Sequence, residues 1–90
     1  MLDRLREMNG DLVGKYPIAR IYLFGSFARD EQTADSDVDL LVDFNGRMGS
    51  KFIDLADELE ARLGIKVDLV SSRGLKPGYL QAIQHELIDV

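Results

Sequence analysis

The chain has 90 residues, no cysteine, one histidine and a formal net charge of −5 at pH 7. This length allows one modest core and excludes a separate substrate-binding domain, so we expect a single domain over residues 1–90. The composition excludes a disulfide framework and a multi-histidine or thiolate zinc site. Proteins that bind nucleic-acid backbones normally present a basic surface, which a net charge of −5 does not indicate. We therefore do not expect nucleic acid as a direct ligand.

The hydropathy of the chain predicts a cytoplasmic protein without a membrane partner. Charged residues begin at Asp3, which leaves no uninterrupted apolar centre for a signal peptide. No apolar run is long enough to span a bilayer. With 46% hydrophobic and 30% charged residues, the composition is typical of a globular chain.

The first half of the chain predicts a helix followed by two strands. Apolar residues at helical spacing predict the helix over residues 2–13, and Tyr16-Pro17 ends it because the residue before proline avoids helical backbone. The apolar, β-prone run Ile18–Phe24 predicts an interior strand. We expect one short helical turn after Gly25, then a polar loop, then a second strand over residues 37–44.

The second half predicts a helix, a strand and a final helix. Apolar residues at helical spacing precede Gly64, which marks the end of the middle helix. Residues 65–70 predict a third strand, which carries Asp68. Pro77 suits the first turn of a last helix, whose apolar side continues to Ile88. The order α-β-β-α-β-α predicts an α/β (α+β) fold in which helices cover a small mixed sheet.

A candidate active site lies between residues 25 and 39. Gly25-Ser26 follows the first strand, and after ten intervening residues Asp37-Val38-Asp39 opens the second. Because side chains alternate along a strand, we expect Asp37 and Asp39 to project to the same side and Val38 toward the core. Two carboxylates this close repel each other unless a cation lies between them, and such a pair of oxygen ligands suits Mg²⁺.

The glycine-serine turn offers groups that suit a phosphate. Gly25 has no Cβ, so a ligand can approach the backbone closely, and Ser26 offers a hydroxyl and an N–H. The sequence leaves open whether Arg29 contacts a phosphate or pairs with Asp30 or Asp37. An isolated Asp-x-Asp is more often a solvated strand end, and an isolated Gly-Ser is more often a plain turn. Their combination with a third carboxylate favours a site for a nucleoside triphosphate carrying Mg²⁺.

The combination of Gly25-Ser26, Asp37-Val38-Asp39 and Asp68 resembles the nucleotidyltransferase signature of the DNA polymerase β superfamily. In its length, and in the ending Gly74-Leu75-Lys76-Pro77 before a final helix, the chain is most similar to the minimal nucleotidyltransferases (MNT proteins). Their relatives include antitoxins paired with HEPN ribonuclease toxins. The resemblance covers nearly the whole chain and implies a polymerase β-like fold.

The resemblance implies transfer of AMP from ATP to a hydroxyl, with release of pyrophosphate. In the antitoxin branch the acceptor is a tyrosine of the HEPN toxin, which would make this chain the antitoxin of a type VII-like toxin-antitoxin pair. Asp68 would bind a metal beside the acceptor hydroxyl and help to take its proton. The resemblance thus implies two Mg²⁺ ions held by the catalytic residues Asp37, Asp39 and Asp68, and a nucleotide held by Gly25, Ser26 and Arg29.

Two positions depart from the family pattern. Many relatives have a basic residue directly after Gly-Ser and a glycine after Ala-Arg, where this chain has Phe27 and Asp30. Phe27 removes one phosphate contact, and Asp30 adds negative charge near the site. Two alternatives therefore stay open: a non-catalytic antitoxin that neutralises its partner by forming a complex, and a nucleotidyltransferase for a small molecule such as an aminoglycoside. A homodimer or a hetero-oligomer is also open.

Overall fold

The computed structural model describes residues 1–90 and contains three helices and four strands. Short 3₁₀ turns lie on either side of the third helix, at Ser72–Gly74 and Gln84–Glu86. None of the helices combines the length and apolarity that crossing a membrane requires. In chain order the elements are α1 (Leu2–Lys15), β1 (Ile18–Phe24), β2 (Val38–Phe44), α2 (Lys51–Leu63), β3 (Val67–Ser71), α3 (Pro77–Ile83) and β4 (Ile88–Asp89).

The four strands form one mixed sheet in the order β3-β2-β1-β4. β1 is antiparallel to both β2 and β4, whereas β2 and β3 are parallel. The parallel pair is possible because α2 carries the chain back across the sheet between β2 and β3. The expected mixed sheet and the interior position of β1 are therefore confirmed.

One face of the sheet forms the main core. Val38, Leu40 and Val42 of β2 point to this face and are completely or almost completely buried. The first and second helices cover it, and Leu55 and Leu59 of α2 have no exposed surface. Truncating either leucine to alanine costs about 2–5 kcal/mol in such a core. This packing fixes the alternation of β2, so that Asp39 lies on the opposite face.

The opposite face is covered only in part. Phe24, Leu41 and Ile83 form a small second cluster there, where α3 packs against the sheet. Strand alternation gives Asp39 and Asp43 the same parity as Leu41. The acidic residues of β2 therefore lie on the same partly open face as the small apolar cluster that contacts α3.

The structure corrects the predicted end of the chain. The sequence predicted a last helix that continues to Ile88, but α3 ends at Ile83 and β4 follows as a two-residue strand. β4 pairs with β1 through Leu23 and Ile88, and the Val90 N–H donates to the Ile21 carbonyl at 2.9 Å. The free edge of β1 thus binds the end of the chain in an extended form, which helical spacing alone did not predict.

Candidate active site

Gly25 turns the chain at the end of β1 and lies directly against a carboxylate. Its φ is 74°, in the left-handed region that favours glycine. A Cβ built on Gly25 would overlap the Asp39 carboxylate, lying 2.9 Å from its Cγ. The absence of a side chain at position 25 therefore lets the turn pack directly against Asp39.

The segment after Gly25 forms one hydrogen-bonded helical turn, as the sequence predicted, and then continues as irregular turns rather than as a helix. The Arg29 N–H donates to the Gly25 carbonyl at 3.1 Å, and the Glu31 N–H donates to the Ser26 carbonyl at 2.9 Å. The N–H groups of residues 26–28 and the Ser26 hydroxyl donate to no acceptor in the chain. Backbone donors grouped in this way suit an anion such as phosphate.

Phe27, one of the two departures from the family pattern, has a structural explanation. Its ring is half-buried and packs against the main core together with Ala28. The side chain therefore points away from the ligand side of the turn and anchors the turn to the core. A phosphate can still contact the backbone N–H of Phe27, which has no acceptor.

Asp39 and Asp68 face each other across two neighbouring strands. They are partners in the parallel ladder between β2 and β3, and their carboxyl groups lie within hydrogen-bonding range. Asp37 comes one residue before β2, and its charge also acts on Asp39. The structure therefore brings Asp39 and Asp68 together, with Asp37 near enough for its charge to act on Asp39.

The pKa of Asp39 is raised above its usual value. Partial burial is the main cause, followed by the negative charges of Asp68 and Asp37, while Arg29 opposes the shift. When Asp39 is protonated, its hydroxyl can donate to Asp68. An uncompensated acidic pair of this kind is stabilised by any cation that binds between the two carboxylates.

The donor set fits Mg²⁺ bound jointly by the protein and a substrate. No group of three acidic, histidine or cysteine side chains is gathered tightly enough to hold an ion by itself. Mg²⁺ usually takes one or two protein carboxylates and completes its octahedron with water and substrate phosphates. The Asp39 and Asp68 carboxylates supply such a pair, with Asp37 close to it.

Arg29 pairs with neither of the partners that the sequence offered. Its Nε donates to Glu31 at 3.1 Å and its Nη1 donates to Glu86 at 2.9 Å, so pairing with Asp30 or Asp37 was wrong. Its Nη2 donates to no protein atom. Arg29 is thus held from two sides while part of its guanidinium stays available.

Asp30, the second departure from the family pattern, has a left-handed backbone. Its φ is 58°, and it is the only residue other than glycine with a positive φ. Aspartate tolerates this region better than most residues do, but glycine tolerates it best. The conformation explains why a short polar residue is accommodated at this position, which a glycine would also fit.

A cavity of about 600 Å³ lies between the sheet and α3, and none of Asp37, Asp39 and Asp68 lines it. Leu41 and Asp43 line it from β2, and Tyr22, which pairs with Leu41, lines it from β1. The cavity therefore opens on the same face of the sheet as Asp39. Its other lining residues are Ser72, Pro77, Leu80, Gln81, Gln84 and Leu87.

The sequence predicted neither the contact of Glu86 with the turn nor the cavity. Glu86 accepts a hydrogen bond from the Gly25 N–H at 3.2 Å, across 61 positions of the chain. Nothing in the residues around Glu86 indicates this contact, because it depends on the pairing of β4 with β1. Asp43, which lines the cavity, shares the strand parity of Asp39, and this was its only signal in the sequence.

Comparison with known proteins gives consistent similarities. The family model described as nucleotidyltransferase domain matches residues 2–90. The chain is 42% identical to protein adenylyltransferase MntA of Thermococcus cleftensis over 81 residues, which cover 89% of this chain and 82% of that protein.

Two solved structures are similar over almost the whole chain. One, described as a minimal nucleotidyltransferase, is 40% identical with a TM-score of 0.85, and the match covers 99% of this chain and 92% of that one. The other, a toxin-antitoxin with AMP-PNP, is 26% identical with a TM-score of 0.73, and the match covers 98% of this chain and 67% of that one. The sequence comparison and the structural comparison thus both give nucleotidyltransferases.

Proposed function

Because the chain belongs to the nucleotidyltransferase domain family, we propose that it transfers AMP from ATP to a hydroxyl group of a partner protein and releases pyrophosphate. The observation that carries the proposal is the pairing of Asp39 with Asp68 beside the free donors of Ser26. Paired carboxylates next to an anion-binding turn suit a nucleoside triphosphate and its divalent cation. The name of the adenylyltransferase relative supports a protein as the acceptor.

The residues of the turn would bind the triphosphate. The Ser26 hydroxyl and the free N–H groups of residues 26–28 donate to the β and γ phosphates, and the Nη2 of Arg29 can add a further donor. Asp37, Asp39 and Asp68 would hold two Mg²⁺ ions together with phosphate oxygens. When bound, Mg²⁺ neutralises the charge that develops on the entering and leaving oxygens.

The chemical step uses the exposed edge of the sheet. The acceptor oxygen attacks the α-phosphorus, and the bond from that phosphorus to the bridging oxygen of the β-phosphate breaks, so that pyrophosphate leaves. Asp68 accepts the hydroxyl proton as the new P–O bond forms. Asp68 is exposed on the edge strand β3, so a hydroxyl carried by another protein can reach it.

We assign the cavity beside α3 to the acceptor segment of the partner. In phosphoryl transfer the attacking and leaving oxygens are roughly in line on opposite sides of the phosphorus. The leaving pyrophosphate would lie at the turn after β1, next to Asp39. Along β2, the cavity-lining residues Leu41 and Asp43 come after Asp39, and so lie farther from that turn. An acceptor that enters from the cavity would therefore approach from the correct side.

The expected partner is a HEPN-type toxin, and the expected acceptor is one of its tyrosines. The motif resemblance implies this partner, and the similarity to a toxin-antitoxin with AMP-PNP supports both a toxin partner and ATP as the donor. In this role the chain would be an antitoxin that inactivates its toxin by AMPylation.

Transfer can be tested with the purified chain, ATP labelled at the α-phosphate, Mg²⁺ and a HEPN-type toxin, for which the product of the adjacent gene is the first candidate. We expect the partner to gain label and one or more AMP groups by intact mass, on tyrosine. Asp39→Asn should reduce labelling to background because it removes a metal ligand. Asp35→Asn, an exposed loop position, is the matched control and should label the partner normally. Equal labelling by Asp39→Asn would reject the proposal.

A non-catalytic antitoxin is the second candidate. It is favoured by the engagement of Arg29 with Glu31 and Glu86, and by the absence of a preformed three-ligand metal group. The two candidates differ in what the double variant Asp37→Asn with Asp39→Asn does to a growing cell that expresses the toxin. Loss of neutralisation supports the enzyme, whereas neutralisation that survives, with the complex intact, supports the binding protein.

A further inference from the structure

The Glu86 side chain joins the end of the chain to the glycine-serine turn. One carboxylate oxygen, Oε1, accepts from the Gly25 N–H at 3.2 Å. The other, Oε2, accepts from Arg29 Nη1 at 2.9 Å. The side chain is only 14% exposed, so both contacts lie in a partly desolvated position. Glu86 thus fixes the first residue of the turn and its one basic side chain together.

The sheet itself brings Glu86 to this position. β4 is antiparallel to β1, with Leu23 opposite Ile88 and Tyr22 opposite Asp89. Glu86 ends the 3₁₀ turn two residues before Ile88, and from there its side chain reaches the Gly25 N–H. The two-residue strand β4 therefore determines which residue of the chain end meets the turn.

Glu86 orients Arg29 without using all of its donors. Glu31 holds Nε and Glu86 holds Nη1, so the plane of the guanidinium is fixed, while Nη2 remains free. The contact with Arg29 also lowers the pKa of Glu86, so this carboxylate stays ionised at neutral pH. A guanidinium fixed in this way loses little side-chain freedom when it binds a phosphate.

The pattern of contacts differs from that of a substitute phosphate. A carboxylate that occupied the phosphate position would be expected to accept from Ser26, whose N–H and hydroxyl are among the free donors of the turn. Glu86 leaves both of these donors unused and accepts only from Gly25 and Arg29. Glu86 therefore contacts the turn without occupying the donors that are proposed to bind the phosphates.

We propose that Glu86 is a positioning residue for nucleotide binding, which holds the Gly25 turn and Arg29 in the arrangement that receives the phosphates. This inference rests on the nucleotide-binding role of the turn in the proposed function. It also makes the last residues of the chain a functional part of the site, since the pairing of β4 with β1 holds Glu86 near the turn.

The test measures binding of AMP-PNP with Mg²⁺ by calorimetry, together with kcat and KM for ATP in the transfer reaction. Glu86→Ala should weaken AMP-PNP binding and raise KM roughly tenfold or more, with kcat of the folded protein largely kept. Glu86→Gln should recover part of the loss, because its amide oxygen still accepts from Gly25. Asp89→Asn is the matched control in the same segment; it removes only an exposed ion pair with Arg20 and should stay within about twofold of wild type.

The outcomes separate this inference from the proposed function. Unchanged binding by a folded Glu86→Ala protein, checked by its melting curve, would reduce Glu86 to a structural contact and overturn the proposal. Tighter binding would overturn it too, because Glu86 would then compete with the phosphates. If Glu86→Ala does not fold, the Glu86→Gln protein decides: binding equal to wild type overturns the proposal. Binding that follows the expected order without any transfer to the partner would support the role of Glu86 and reject only the transfer reaction.

Discussion

Gly25 packs so closely against Asp39 that a side chain cannot be added at position 25 without moving the carboxylate. A Cβ there would lie 2.9 Å from Asp39 Cγ and 3.1 Å from its Cβ, and the backbone has a φ of 74°. The glycine is therefore needed for the close packing against β2 as well as for the backbone conformation of the turn. It sets the distance between the backbone that is proposed to bind phosphate and the carboxylate that is proposed to bind metal.

Gly25→Ala should consequently damage both stability and activity. We expect the free energy of unfolding to fall by at least about 1–2 kcal/mol, from the left-handed backbone alone. Transfer should fall to background because Asp39 must move. Urea unfolding and the labelling assay measure the two effects. Gly10→Ala is the control: position 10 lies in α1 with nothing within 4 Å, so this change should instead stabilise by up to about 1 kcal/mol. A Gly25→Ala protein with normal activity would contradict the packing described here.

Asp39 should reduce stability at neutral pH in the metal-free protein. Its pKa is raised in the folded state, so the folded chain binds its proton more tightly than the unfolded chain does. As the pH rises above the usual value of 3.8, the unfolded state loses this proton first, and stability falls until the pH exceeds the folded-state pKa. Asp39→Asn should therefore melt at a higher temperature than wild type at pH 7, and this advantage should shrink as the pH approaches 3.8.

The effect of Mg²⁺ on the melting temperature tests whether Asp39 binds a metal. Mg²⁺ should raise the melting temperature of the wild-type protein, because it binds the folded state and offsets the repulsion at Asp39. The increase should be clearly smaller for Asp39→Asn, which lacks one carboxylate. Equal increases for the two proteins would argue against a metal bound at Asp39.

The parts of the site that local patterns define were predictable from the sequence. Strand alternation placed Asp39 opposite the core, and the parallel β2-α2-β3 unit brought Asp68 beside it. The contact between Glu86 and Gly25 was not predictable, because it spans 61 positions and depends on a two-residue strand. So short a strand has no periodicity of its own. It forms because β1 offers a free edge.

Phe27 and Asp30 show a different limit of the sequence. From the sequence alone, Phe27 removes a phosphate contact and Asp30 adds negative charge, so both argued for weak nucleotide binding. In the structure Phe27 anchors the turn to the core, and Asp30 occupies a left-handed backbone position. Each position is explained by conformation and packing, which the identity of a residue does not reveal by itself.

Changes at Asp30 should separate its conformation from its charge. Asp30→Gly suits the left-handed backbone and removes a negative charge near the phosphates, so we expect equal or greater stability and equal or tighter binding of AMP-PNP. Asp30→Asn keeps the tolerance for this conformation and tests the charge alone. Asp30→Val should destabilise by about 1–2 kcal/mol because a β-branched residue is strained at this φ. Equal stability of the valine and glycine proteins would show that the left-handed backbone is not maintained.

The cavity beside α3 predicts a variant that binds nucleotide but does not modify its partner. Gln81 is exposed and lines the cavity, whereas Ala82 is exposed on the same helix and does not line it. Gln81→Trp should fill the cavity and reduce transfer roughly tenfold or more, since small displacements of an acceptor from the in-line position have large effects on rate. AMP-PNP binding should remain at the wild-type level, because Gln81 does not contact the turn. Ala82→Trp adds the same ring outside the cavity and should leave transfer near that of wild type. Equal transfer by the two tryptophan variants, or a parallel loss of AMP-PNP binding by Gln81→Trp, would exclude the cavity as the route of the acceptor.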